Sequence, residues 1–294
     1  MRSLLQKAVR RGDNDLTEKI VIYLLNNNDL EWVRRRLASI TFEEAWSYGM
    51  QVNYERNPQI LINHYLHLSS MVKNKEANGL GSLAYDFFSG NKAFLNFLDK
   101  DDFRHIKIVS EGIKRPNDFW DWAIKTVNNN HRKSTFINNA FDSFKKVSWL
   151  WDKAFIIAAA YLAINNEIPE IIPSKIKLVT PYWVGIDKHT QPGKQIIKKV
   201  AYEMNIDVEK ALCLSFYFEG ALCNQIQSNF WWNKEVSLKI QNLGLSLEQA
   251  QEIWNKLKIR VSHLLTEESL KVEQALENIK LSDKFDTKEQ LGLF

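Results

Sequence analysis

Asp187, His189 and Thr190 fall within four consecutive residues of the segment PYWVGIDKHTQPGK (residues 181–194), which Gly193-Lys194 closes. An Asp-x-His pair can set a carboxylate beside an imidazole, the orienting half of an acid–base pair. Glu219, in FYFEGA (residues 216–221), is a third group that could converge with them on a phosphorylated or nucleic-acid substrate. The same letters also spell a helix start. Thr190 is a good N-cap, Pro192 suits a first turn where its missing N–H costs nothing, and GKQIIKKVAYEM continues as helix. On that reading Asp187 and His189 tie the incoming loop to neighbouring backbone. A helix N-terminus beside Lys188 and Lys194 could also hold a phosphate.

Established catalytic templates do not fit. A Walker A nest needs four residues between its glycines and a Ser or Thr after the lysine. Here seven residues separate Gly185 from Gly193, and Gln195 follows Lys194. The chain has no G-x-S-x-G, H-E-x-x-H or C-x-x-C. His64 and His67 in NHYLH stand at i, i+3, but no carboxylate or cysteine joins them at a convincing ligand spacing. They read as boundary histidines, and no metal or other cofactor is expected. Cys213 and Cys223 read as buried thiols on one helical segment of a reduced, cytoplasmic protein.

Charge offers a different chemistry. The formal charge is only +4, but residues 173–202 carry six lysines (175, 177, 188, 194, 198 and 199) against the single acid Asp187. The stretch from Leu247 onward is acidic by comparison. Lys7, Arg10 and Arg11 recur at i, i+3, i+4, and Arg34, Arg35 and Arg36 form a second cluster. These groups, with Lys188, Lys194, Lys198 and Lys199, could neutralise DNA phosphates. The competing reading is a set of solvated helix faces and internal pairs with Asp13, Asp15, Glu18 and Glu31. The tryptophan pairs 120/122, 149/151 and 231/232 pose the same choice between core and stacking platform. Trp149 and Trp151, flanked by Lys145, Lys146 and Lys153, match the platform best.

Helices must position these groups. Hydrophobic residues at 45% and charged residues at 25% are ordinary globular values, while eleven Gly and six Pro in 294 residues leave few breaks. No apolar run approaches the roughly 20 residues that span a bilayer, and no secretion signal opens the chain. WDKAFIIAAAYLAI (residues 151–164) is a buried core helix. Gly12 stops a first helix, Asp13 or Asp15 caps a second, Asp29 starts a third, and Thr41-Phe-Glu-Glu44 reads as a capping box for a fourth. Asp207 and Ser246 cap later helices. KNKEANGLGS (73–82) and NNNHRKS (128–134) read as loops. The expectation is an all-α fold, a multi-helix bundle or array of short antiparallel helices. An N-terminal part (1–165) and a C-terminal part (184–294) flank an extended linker over 166–183, where three prolines fall.

LLQKAVRRGD (residues 4–13) followed by LEWVRRRLASITFEEAW (30–46) resembles the helical C-terminal region of MgsA/RarA-type AAA+ ATPases, with their Q-K-x-I-R-x-x-D-like helix and later R-R-L helix. PYWVGIDKHTQPGK and FYFEGA are similar to a related group of free-standing, often phage-like proteins carrying a D-x-H-T-x-x-G turn and an aromatic-E-G-A helix. Glu43-Glu44 replaces the family's Glu-Asp, and AWSYG replaces I-G-L-A. The resemblance implies a tetrameric scaffold that assembles at stalled replication forks, without the ATPase motor.

The reading is therefore a non-enzymatic, homo-oligomeric accessory protein of DNA replication or recombination. It would bind DNA, a replication protein or a separate ATPase, with no membrane. The alternative is an enzyme using Asp187, His189 and Glu219.

Overall fold

In the computed structural model, which describes residues 1–227, 229–277 and 279, the chain is all-α. Part of the acidic C-terminal stretch lies outside the described residues. Among those residues the only sheet-like pairing is three isolated backbone bridges, Ala45 to Asn74, Met71 to Pro173 and Lys73 to Ile226.

Four helices open the fold: α1 (Arg2–Arg11), α2 (Asn14–Asn26), α3 (Leu30–Glu44) and α4 (Pro58–Ser70). Gly12 ends α1 at φ 72, where a side chain would be strained, and its N–H and that of Asp13 return to the helix's last carbonyls. Asp13 then caps α2 by accepting from Leu16 N at 3.2 Å. With the reversal so fixed, Leu4, Leu5, Ile20, Leu24, Leu37, Leu61 and Tyr65 meet in a first core. Thr41 caps no new helix. Helix α3 runs on through it to Glu44, and Glu43 and Glu44 are drawn inside by partners described below.

A second core forms around α9 (Leu150–Asn165), packed by α5 (Glu76–Phe88), α6 (Lys100–Lys114), α7 (Pro116–Thr126) and α8 (His131–Lys146). Residues 154–163 are at most 6% exposed, so α9 is apolar all round because it is surrounded. No described helix is long and apolar enough to cross a membrane. The expected loop at 73–82 is instead mostly α5. Its glycines serve packing: a Cβ on Gly79 would lie 2.3 Å from the backbone of Trp231, and one on Gly81 would lie 2.9 Å from Ala154 O. Residues two apart point to opposite sides of a helix. Helix α5 is thereby pressed between α9 and α12 (Phe230–Asn242). In the expected loop at 128–134, only the turn before His131 is non-helical.

The third core joins α10 (Gln191–Glu203), α11 (Val208–Ser215) and α13 (Leu247–Leu264) around Ile197, Leu214, Trp254 and Leu257. Helix α14 (Thr266–Leu276) turns back onto the 3-10 turn Tyr182–Gly185, bringing Leu276 into the first core. Residues 166–180, with Pro169 and Pro173 among them, form no helix. They separate two parts in sequence but not in packing. Val72 N donates to Ile172 O, Leu178 N donates to Arg11 O, and Trp231 and Leu238 belong to the second core.

Candidate functional site

Helix α1 is the axis on which the sequence's charged candidates meet. One side carries Leu4, Leu5, Ala8 and Val9 into the first core, but the polar side is covered as well. The C-terminal end of α3, the loop at 186–190 and the π-helical turn Phe216–Gly220 supply that cover. Lys7, Arg10 and Arg11, expected to face phosphates, are all buried. Interior charges must be paired to be tolerated; each of these three meets a carboxylate, and Arg11 Nε is the one guanidinium nitrogen among them left without a hydrogen-bond partner.

Arg10 uses its whole guanidinium. Nε donates to Glu44 Oε1 at 2.5 Å, Nη2 to Glu43 Oε1 at 2.5 Å, and Nη1 to the carbonyl of Gly220 at 2.6 Å. Glu44 is fully buried; it also accepts from Gln6 Nε2 at 2.9 Å and pairs with Lys75 Nζ at 3.3 Å. Burial would push its carboxyl up, but Arg10 and Lys75 outweigh that and hold it down at about 2. Arg36 donates to Gln6 Oε1 and lies 3.5 Å from Asp152.

At the next residue of α1, Arg11 Nη2 donates to Glu219 Oε1 at 2.6 Å, and Lys258 Nζ stands 2.7 Å from Oε2 of the same carboxylate. One turn back from Arg11, Lys7 pairs with Asp187. Burial would raise the Asp187 carboxyl; the ion pair and hydrogen bond from Lys7 hold it below its ordinary value. Asp187 and Glu219 are thus held by cations at i and i+4 of one helix.

The Asp187 loop is built as a helix start. Asp187 Oδ1 accepts from His189 N at 3.0 Å, and its carbonyl accepts from Thr190 Oγ1 at 2.9 Å. Thr190 Oγ1 accepts from Gly193 N at 3.2 Å, capping α10 with Pro192 in the first turn. Gly193 is required there because a Cβ would lie 2.2 Å from Asp187 O. The His189 ring meets neither carboxylate and instead stands edge-on to Phe216, with centroids 6.3 Å apart. Lys188 Nζ lies over that ring at 4.3 Å, with the Arg10 guanidinium carbon at 5.9 Å.

The remaining cations differ in availability. Arg34 pairs with Glu31 at 2.8 Å, whereas Arg35 is exposed and donates only to the Glu31 carbonyl. Lys194, Lys198 and Lys199 are exposed on α10; Lys199 stands 4.0 Å from Glu203. His64 and His67 both turn Nδ1 to Tyr48 Oη, at 2.7 and 3.4 Å. Among the described residues, no group of three or more His, Cys, Asp or Glu is placed to hold a metal ion. Cys213 and Cys223 are free thiols on different elements, the first in α11 and the second beyond the π-helical turn.

Sequence reasoning missed Lys73 and Lys75, which lie in the expected loop. Lys73 is fully buried and donates to the carbonyls of Leu68, Ser69 and Met71 at 2.7, 2.9 and 2.7 Å. It closes the end of α4, and burial lowers it to about 8. Lys75 sits 4.2 Å over the Trp232 ring. The one available clue was a lysine just beyond a helix end, where orphan carbonyls need donors. Glu235, on α12, was missed too: Oε1 accepts from Tyr217 Oη at 2.8 Å, and burial pushes its carboxyl up to about 7.

No protein family, curated protein or solved structure matches the chain.

Proposed function

We propose that the chain is a non-enzymatic, homo-oligomeric helical scaffold, an accessory protein of DNA replication or recombination. It offers basic surface to DNA or docks a replication protein or a separate ATPase. The observation that carries this reading is the fate of the candidate acid–base residues. Asp187 and Glu219 are ion-paired to Lys7 and Arg11, and His189 contacts neither carboxylate through its ring. Carboxylates that would have to reach a substrate instead join α1 to the loop entering α10 and to the π-helical turn. The replication context comes from the resemblance of residues 4–46 and 181–221, and tetramers are the expected assembly.

The cations left for DNA are those on the surface. Lys194, Lys198 and Lys199 lie on the exposed face of α10, which follows a stretch carrying exposed Lys175 and Lys177. Charge reversal at Lys198 and Lys199 tests this. The expected result is weaker binding to forked DNA and a shallower salt dependence, by roughly one phosphate's contribution per lysine removed. Unchanged affinity and slope would exclude α10 as the DNA face.

A further inference from the structure

A groove of about 310 Å³ opens between the outer face of α3 and the turn from α8 into α9, well apart from the α10 lysines in sequence and on different helices. Trp32, Arg35 and Arg36 line one side, Lys146 and Trp149 the other, and Arg2 closes an end. Trp149 is the notable member. It is 69% exposed and, among the described residues, meets no other aromatic ring or cation. A tryptophan is large and apolar, and helical proteins ordinarily place it in a core or interface. Leu150, the next residue, is 45% exposed.

The charges around this ring are not equally engaged. Arg2 is spent: its guanidinium is held by both oxygens of Asp29, at 2.7 and 3.2 Å, and lies 5.0 Å over the Trp32 ring. Arg36 is shared between Asp152 at 3.5 Å and Glu43 at 3.8 Å. Asp152, which also lines the groove, is mostly buried and its carboxylate is engaged by Arg36 and by Ser39 Oγ, which donates to it at 2.7 Å. Arg35 and Lys146 have no carboxylate within 4 Å among the described residues. Arg35 donates to the Glu31 carbonyl, and Lys146 lies 5.2 Å over the Tyr54 ring. Nearby, Lys153 leans on Phe144 at 4.6 Å. The groove therefore presents one open indole face with two uncompensated cations beside it.

We propose that this groove binds an unpaired nucleotide of single-stranded nucleic acid, with the base stacked on Trp149 and the flanking phosphates held by Arg35 and Lys146. The proposal rests on the nucleic-acid reading of the preceding section and adds the form of strand and the place. The chemistry selects single strands over duplex because base faces within a duplex are covered by neighbouring pairs, whereas an unpaired base offers a free π-face. A groove of this size also sits at the small end of ligand sites, fitting one nucleotide rather than the side of a double helix. An acidic peptide would answer the cations but leave the indole unexplained.

The test is fluorescence anisotropy of a labelled oligothymidylate of about 15 nucleotides, and of a duplex of equal length, against the full chain and its variants at rising salt. Trp149 and Arg35 are exposed, so Trp149→Ala, Trp149→Phe and Arg35→Glu put folding at little risk; circular dichroism checks each one. Trp149→Ala is expected to weaken strand binding roughly tenfold while leaving duplex binding alone. Trp149→Phe restores most of the loss, and Arg35→Glu with Lys146→Glu flattens the salt dependence by about 0.7 per phosphate contact. Displacement of the strand by polyglutamate, with equal potency against wild type and Trp149→Ala, would overturn base stacking in favour of a general polyanion surface. Strand affinity unchanged in Trp149→Ala, with loss only when Lys198 and Lys199 are reversed, would overturn the groove and leave the DNA reading intact. Wild-type protein that binds neither strand nor duplex would overturn both.

Discussion

Arg10 Nε and Glu44 Oε1 stand 2.5 Å apart in the interior, joining the last turn of α1 to the last residue of α3. Neither has enough solvent contact to survive alone. Removing one partner of a buried pair strands the other charge, which costs about 3–5 kcal/mol, whereas replacing both by apolar groups of similar volume can be nearly neutral. Glu44→Gln is therefore expected to lower unfolding free energy in urea by an amount in that range. Arg10→Met combined with Glu44→Leu should lose less than the two single changes added together. Strict additivity would show that the pair acts as two independent residues.

Glycine at 79 is demanded by space, since the backbone of Trp231 passes 2.3 Å from where a Cβ would stand. Gly79→Ala must push α5 and α12 apart, with an expected cost of about 1–3 kcal/mol. Gly220→Ala is the control, because its nearest neighbour would be an ordinary contact at 3.5 Å. It should stay within about 1 kcal/mol of wild type. Equal thermal shifts in the two variants would contradict close packing of α5 on α12.

Two buried carboxyls impose opposite dependences on pH. Glu44 is depressed from 4.5 to about 2, so its contribution is present above pH 4.5 and is lost as pH falls toward 2. Glu235 is raised from 4.5 to about 7, so the folded state holds its proton longer than the unfolded chain does. Stability therefore falls as pH rises from 4.5 through 7, by up to about 3 kcal/mol from this group alone. Glu235→Gln keeps an acceptor for Tyr217 and removes the titration. Melting temperatures of wild type should drop between pH 5 and pH 8 relative to those of the variant. Parallel curves would show that Glu235 titrates normally.

Asp187 and His189 are expected to differ in consequence. Asp187→Asn leaves buried Lys7 without its counter-charge and should cost about 3 kcal/mol or more. His189→Ala forfeits only an edge contact with Phe216, and about 1 kcal/mol is expected. Chemical denaturation of the two variants decides the order. A larger loss in His189→Ala would place the structural weight on the imidazole.

Helix ends were the most legible part of the sequence because each depends on one side chain and a few neighbours. Asp13, Thr190, Asp207 and Ser246 all cap as their spacing implied, and the apolar run at 151–164 is the enclosed helix α9. Misreadings arose where distant partners decide. Gly79 and Gly81 resemble turn residues until α12 and α9 are set against them. Thr41 to Glu44 resembles a cap until Arg10 and Lys75 draw the glutamates inward. Lys7, Arg10 and Arg11 have the spacing of a solvated face, and nothing local tells that Asp187 and Glu219, some two hundred residues later, will cover it.

The most direct measurement is the light-scattering mass of the purified chain, alone and then with forked DNA at low salt. A tetramer-sized particle that gains the mass of DNA and sheds it as salt rises is the expected result. A monomer that ignores DNA would contradict the replication scaffold outright.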